Sequence, residues 1–387
     1  YSSKFGFTRL FDVLKQGLTI FSLTNSDYLS ECSANRAGGS ERQLLYAALA
    51  SHAEGADVEL VTINLEGNPS ATLDGIVVKN LWSIQASGLF KFLNMTRSLI
   101  SSKNVVYIRG ISLVHALIII ISRMFGRKVI LGMTSDVQCV KNSSVFANIV
   151  KFLAIQCSSK VIAQTKNQHK LINIHFNKHS VVFYNVINSK LFGRSEPLKE
   201  FSDRNIDVLW LGTIEQKKGL DRLLYLADHM PTKAFKIVGG PSLDSVEYAS
   251  EIVSQIEIRS NVSYEGFVQP SDIGSYINCS KVLINTSIPL ESDLTKEGFP
   301  NVFLEAWLFG TPVISMSIDL DGLITSQELG AFSTTIQEAE KEIAEVTEDQ
   351  ERWGIMSRNA KAFAASRDVA NDDVHKLFVE ILEVRAK

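Results

Sequence analysis

Apolar and polar positions alternate in blocks along the chain. From Leu18 onward the short apolar runs "LTIFSLT", "DVELVTI", "NVVYIRG", "KVILGM" and "KVIAQT" have the length of buried strands. Longer segments lie between them, such as "GGSERQLLYAALASHAEG", with apolar residues at helical spacing. This alternation predicts a doubly wound parallel sheet. A polar stretch, "NSKLFGRSEPLKEFSDRN", interrupts it, and the rhythm restarts with "DVLWLGT", "GLDRLLYLADHM", "FKIVGG", "NVSYEGFV", "KVLINTS" and "PVISMS". The expected architecture is α/β, with two Rossmann-like domains at residues 18–190 and 206–362, a linker at 191–205 and a closing helix at 363–387. A cleft is expected between the carboxyl ends of the two sheets. Residues 1–17 form an amphipathic extension in which Phe7, Leu10, Phe11 and Leu14 share a helical face and Lys4, Arg9 and Lys15 supply positive charge. Such a helix either lies at a membrane interface or packs on its own domain.

Composition narrows the class. A chain of 387 residues exceeds what one core supports, and 45% apolar with 21% charged residues is typical of a folded soluble protein. Cys32, Cys139, Cys157 and Cys279 form no C-x-x-C pair, which suits a reducing cytoplasm with neither a disulfide framework nor a zinc site. The most apolar stretch, "GISLVHALIIIIS", has 13 residues where a bilayer span needs about 20, and predicts a buried helix. Net charge is -3, yet residues 1–200 carry +10 and the remainder -13. The basic half either faces an anionic membrane or acceptor, or the two surfaces simply differ.

Candidate chemistry concentrates in "KEGFPNVFLEAWLFGTPVIS", residues 296–315. Pro300 suits the first turn of a helix, and Gly310 followed by Thr311-Pro312 ends that helix before a strand-like "PVIS". Glu297 then lies in the loop and Glu305 inside the helix. The free amides at a helix N-terminus favour an anion, whereas a carboxylate accepts hydrogen bonds from a vicinal diol. A nucleotide sugar offers both groups. Alone, two glutamates eight positions apart would also fit a loop charge and a polar-face residue; the surrounding Gly-Phe-Pro-Asn and Gly-Thr-Pro-Val-Ile favour the ligand.

"EGFPNVFLEAWLFGTPVI" resembles the donor-binding signature of retaining GT-B glycosyltransferases, most closely family 4. The resemblance implies that Glu305 binds the ribose, while Glu297, Gly298, Phe299, Pro300 and Asn301 hold the donor sugar. "RAGGSERQ" is similar to the family's loop facing the donor diphosphate, which implicates Gly38 and Gly39. In "LGTIEQKKGLDRLL" Lys218 takes the place of the diphosphate-binding lysine, with Lys217 beside it, whereas Thr213 stands where the family has arginine. Threonine cannot replace a bidentate cation. Either Lys217 or Arg109 then substitutes, or leaving-group stabilisation is reduced. After "KVILGM" the family often has histidine before aspartate; here Ser135 precedes Asp136, which orients an acceptor hydroxyl or caps the next helix. Gly239 in "VGGPS" and Phe267 and Val268 in "EGFVQ" take positions that border the nucleotide, and "YNVIN" resembles another family turn with Val186 in place of glycine.

The resemblance implies a metal-independent retaining transferase of GT-B fold with no cofactor. It would move a hexosyl unit from a UDP- or GDP-linked sugar to a hydroxyl of a glycan or lipid-linked acceptor. The candidate catalytic residues are Lys218, Glu297 and Asp136. Asp319-Leu320-Asp321 spells a D-x-D metal motif, but after "PVISMS" the GT-B family has only a loop. Nucleic acid is not an expected partner. The expected location is cytoplasmic, or peripheral on the inner face of the membrane. Two rivals stand beside this reading: a non-catalytic donor-binding scaffold, motivated by Thr213 and Ser135, and a sugar-nucleotide epimerase.

Overall fold

The computed structural model describes residues 17–25, 39–63, 70–81, 87–192, 197–242, 245–287 and 297–382. Residues 1–16 of the extension, and Gly38, lie outside them. Apolar runs become strands and amphipathic segments become the helices that cover them, in two successive units. One unit comprises the chain up to Val186, together with Glu297–Phe299 and the chain from Val369; the other comprises Ile187–Lys296 and Pro300–Asp368.

In the first unit the order is β1 (Leu18–Asn25), α1 (Gly39–Ala53), β2 (Val58–Ile63), β3 (Ser70–Leu73), β4 (Ile76–Asn80), α2 (Gly88–Ser101) and β5 (Val105–Arg109). There follow α3 (Leu113–Met124), β6 (Lys128–Gly132), α4 (Val145–Cys157), β7 (Lys160–Ala163), α5 (Lys166–Phe176) and β8 (Val181–Val182). The eight strands form one sheet in the order β3-β4-β2-β1-β5-β6-β7-β8. Only β3 runs antiparallel, against β4. Neighbouring residues of a strand point to opposite faces, so β5 fills two cores. Val106 and Ile108 pack with Leu99, Ile118 and Val150 of α2, α3 and α4. Val105 and Tyr107 pack on the other side with Leu44 and Ala47 of α1.

The second unit holds β9 (Ile206–Leu211), α6 (Leu220–His229), β10 (Phe235–Val238), α7 (Val246–Glu257), β11 (Val262–Tyr264), α8 (Pro270–Asn278) and β12 (Ser280–Asn285). It continues with α9 (Asn301–Leu308), β13 (Val313–Ser315), α10 (Leu323–Ser326), β14 (Gly330–Phe332), α11 (Ile336–Glu348) and α12 (Gln350–Ala365). Its strands form a parallel sheet in the order β11-β10-β9-β12-β13-β14. The core gathers Val208, Trp210, Leu223, Ile237, Ile284 and Ile314.

Three features differ from the sequence pattern. The last helix, α13 (Asp372–Leu382), packs against α1 in the first unit, with Phe378 on Phe183 at 5.0 Å, so the final stretch contains the end of α12 and a separate helix. The polar stretch after Val186 is packed into the second unit through the buried Phe192 and Arg204. Finally, α3 is buried on one side only: Ile118 and Ile119 are covered, but Leu113, Leu117 and Met124 are exposed. An all-apolar run fixes the element but not how many of its sides are covered. No helix among the described residues is long and apolar enough to cross a membrane.

Candidate functional site

In a parallel sheet the loops that carry function follow the carboxyl ends of the strands. In the first unit β5 ends in Arg109, β6 leads to Ser135 and Asp136, and β7 leads to Gln164. Asp136 is buried at the start of a short 3-10 turn, and Asn167 Nδ2 donates to its Oδ2 at 3.4 Å. Ser135 precedes that turn without capping it. Arg109 Nη2 donates to Asn185 Oδ1 at 3.2 Å, and its Nε has no hydrogen-bond partner among the described residues.

The start of the 296–315 segment belongs to this neighbourhood. Asn185 Nδ2 donates to the Phe299 carbonyl at 2.8 Å, and the Phe299 ring lies 5.8 Å from that of Tyr184. Gly298 faces α5 so closely that an added Cβ would stand 1.9 Å from Gln164 Oε1 and 2.5 Å from Gln168 Nε2. A side chain there would require the Gln164 and Gln168 amides to move. Gln164, Gln168 and Asn185 are buried polar residues that the sequence reading did not single out. "YNVIN" marks only the turn containing Asn185. Gln164 and Gln168 have no local signal beyond being polar beside an apolar run.

In the "ERQ" of the glycine motif, Gln43 holds the Val186 backbone from both sides. Its Nε2 donates to Val186 O at 2.7 Å, and its Oε1 accepts from Val186 N at 3.0 Å. Gly39 is exposed at the first position of α1.

In the second unit Pro300 is the residue before α9, one position earlier than its proline pattern indicates, and its own side chain makes no capping hydrogen bond. Glu305 lies in the second turn of α9 and is 4% exposed, among Phe303, Leu304, Ala306 and Trp307. It is therefore not a solvated polar-face residue. Burying a charge alone is costly, and Glu305 takes part in an interaction within the protein.

Backbone hydrogen bonds join the ends of β9, β10 and β11. Gly212 N donates to Val238 O at 3.1 Å, and Gly239 N donates to Gly266 O at 2.7 Å. Gly239 has φ 139°, and a Cβ there would lie 1.7 Å from the Gly212 carbonyl oxygen. Phe267 is half exposed beside this turn, and Val268 follows it.

Thr213, at the position of the family arginine, is exposed. Lys217 forms an ion pair with Glu215. Lys218 closes a 3-10 turn before Gly219, whose φ of 63° lets the chain enter α6, and its carbonyl accepts from Thr286 Oγ1 at 2.8 Å. The residue is partly exposed, yet its ammonium is surrounded by protein. Desolvation, and then the neighbouring Lys217, lower its pKa to about 8 against the pull of Glu215.

Asp319 and Asp321 stand in a turn with positive φ at Leu320 and Asp321, and Thr325 Oγ1 donates to Asp319 Oδ1 at 3.4 Å. Among the described residues no group of three or more His, Cys, Asp or Glu side chains is placed to hold a metal ion.

Residues 205–352 match the family model described as glycosyl transferases group 1. No curated protein sequence matches significantly. Solved structures match over nearly the whole chain. HepE of Anabaena, solved in complex with UDP and glucose, is 18% identical with a TM-score of 0.70, covering 96% of this chain and 100% of its own. Sucrose-phosphate synthase from Thermosynechococcus elongatus is 15% identical with a TM-score of 0.74 over the same shares. A glycosyltransferase from Rickettsia africae is 13% identical with a TM-score of 0.70, over 95% and 99%. The fold that these proteins share is GT-B.

Proposed function

We propose that this chain, which has the GT-B fold and matches the group 1 glycosyl transferase model over residues 205–352, is a retaining hexosyltransferase. Its donor would be a nucleoside-diphosphate sugar and its acceptor a hydroxyl of a glycan or lipid-linked molecule in cell-envelope polysaccharide synthesis. UDP is favoured over GDP as the carrier, since HepE was solved with UDP. The observation that carries the reading is Glu305, a carboxylate buried among the apolar residues of helix α9, directly after a loop in which Gly298 packs against the Gln164 and Gln168 amides.

Each residue then has a role. Glu305 accepts both ribose hydroxyls. Glu297 and the loop from Gly298 to Asn301 hold the hexose. Lys218, with the amides at the start of α9 and those of Gly38 and Gly39, neutralises the diphosphate. The turns at Gly239, Phe267 and Val268 border the base through backbone. Asp136 orients the acceptor hydroxyl, and Arg109 supplies the cation that Thr213 does not.

The acceptor oxygen forms its bond to the anomeric carbon on the face that the nucleotide leaves. The carbon–oxygen bond to the phosphate breaks, its electron pair stays on the diphosphate, and the leaving phosphate oxygen takes the acceptor proton. The charge that grows on the diphosphate is what preorganised cations and amides stabilise. No metal ion is required in this scheme.

Glu305→Gln keeps the shape and removes the charge. Charged hydrogen bonds contribute roughly 1.5 to 3 kcal/mol, so UDP affinity measured by calorimetry should fall about tenfold or more. Unchanged affinity in the folded variant would remove the ribose assignment. A donor-binding scaffold is the second reading, motivated by the neutral, exposed Thr213; it predicts donor binding without turnover.

A further inference from the structure

We propose that the outer face of α2, α3 and α4 is a docking surface for an anionic lipid bilayer. These helices fill the core with one side and expose apolar residues on the other. On α4, Val145, Phe146, Ile149 and Phe152 share one stripe at helical spacing and are exposed, Val145 to 73% and Phe146 to 63%. The one charged residue of α4, Lys151, is buried and donates to the carbonyls of Val137 and Val140, both at 2.8 Å. The stripe is therefore uncharged. α3 packs against α4 and α2 against α3. Phe90 and Leu93 on α2 extend the exposed apolar face beyond the residues already noted on α3. An apolar face of this extent marks an interaction surface.

Charge identifies the partner. Between Asp74 and Glu196 the sequence has a single acidic residue, Asp136, against sixteen lysines and arginines. Asp136 is buried. Arg97 and Arg123, on α2 and α3, and Lys141, just before α4, are exposed. An apolar stripe in a field of one positive sign matches the two attractions that hold a protein on a bilayer, burial of side chains below the headgroups and Coulomb attraction to anionic lipid. A second copy docking on the same face would bring two basic fields together.

Phe90, Leu113 and Val145 stand at the N-terminal ends of their helices. They therefore follow the carboxyl ends of β4, β5 and β6, the sheet edge that carries Arg109 and Asp136. On the transferase reading, on which this step alone rests, a lipid-linked acceptor held in the bilayer would reach that edge.

The test is flotation of the full chain, without donor or acceptor, with vesicles of phosphatidylglycerol and phosphatidylcholine in equal parts and with phosphatidylcholine alone. The wild type should float with the mixed vesicles and be released by salt. Phe146→Ser/Ile149→Asn/Phe152→Ser should lower the partition about tenfold or more. Arg97→Glu/Lys141→Glu, which spares the apolar stripe, should also lower it, while Ile258→Ser, at a residue 80% exposed in the second unit, should not. Wild type left at the bottom of the gradient, or both surface variants floating as it does, would overturn the proposal. So would a wild-type dimer in sedimentation velocity that the triple variant converts to monomer. Because no sugar donor is present, failure here is distinct from failure of the transferase reading.

Discussion

Lys218 carries an ammonium whose pKa of about 8 lies close to working pH. The charged form, present below that value, is the one that attracts a diphosphate. UDP affinity should therefore fall as pH rises through 8, approaching roughly tenfold per pH unit, and Lys218→Arg should remove that step. Stability should move the other way. An unfolded lysine titrates near 10.4, so between about 8 and that value the unfolded chain binds more protons and stability rises with pH. Lys218→Met should flatten that rise in thermal melts taken across the window, because the variant has no proton to exchange. Lys218, Glu305 and Gly298 were all legible in sequence as parts of motifs. What the sequence withheld was their surroundings. The bond from Asn185 to Phe299 joins residues 114 positions apart, and nothing local to either announces it. Likewise, the close approach of Gly298 to Gln164 and Gln168 is visible only in the structure.

Elements are held in place by groups that sequence patterns undervalue. Arg204 lies in the stretch that looked like a linker, yet it is 3% exposed and reaches the ends of several elements. Its Nη1 donates to Ser280 O at 2.6 Å and to Thr311 Oγ1 at 2.7 Å, Nη2 to Phe309 O at 2.8 Å, and Nε to Lys199 O at 3.1 Å. The guanidinium thus ties the region after α8 to the end of α9 and stacks 4.7 Å from the Trp353 ring. Burial pulls its pKa down to about 10, still far above neutrality. Arg204→Ala leaves buried carbonyls without donors, and should cost about 3 kcal/mol or more in urea unfolding of the full chain. Loss of less than about 1 kcal/mol would mean that water or neighbouring donors replace it. The run in α3 shows the complementary limit. Its apolar content predicted a helix, but not that Leu113 and Met124 would lie exposed, because coverage depends on which elements pack alongside.

At the scale of the whole chain, the alternation of apolar runs and amphipathic segments was sufficient to read two parallel-sheet units, because each strand buried on both faces leaves a continuous apolar signature. Strand order was not readable in this way, and neither was the return of α13 to the first unit, since both depend on contacts distant in sequence. At this same scale, both units are proposed to serve one retaining transfer from a nucleotide sugar. The most direct measurement is proton NMR of the hexose first released in slow hydrolysis of the proposed UDP-α-hexose donor, before mutarotation mixes the anomers. The account predicts the α anomer, because the incoming oxygen takes the face that the diphosphate leaves. Release of the β anomer would contradict the retaining mechanism.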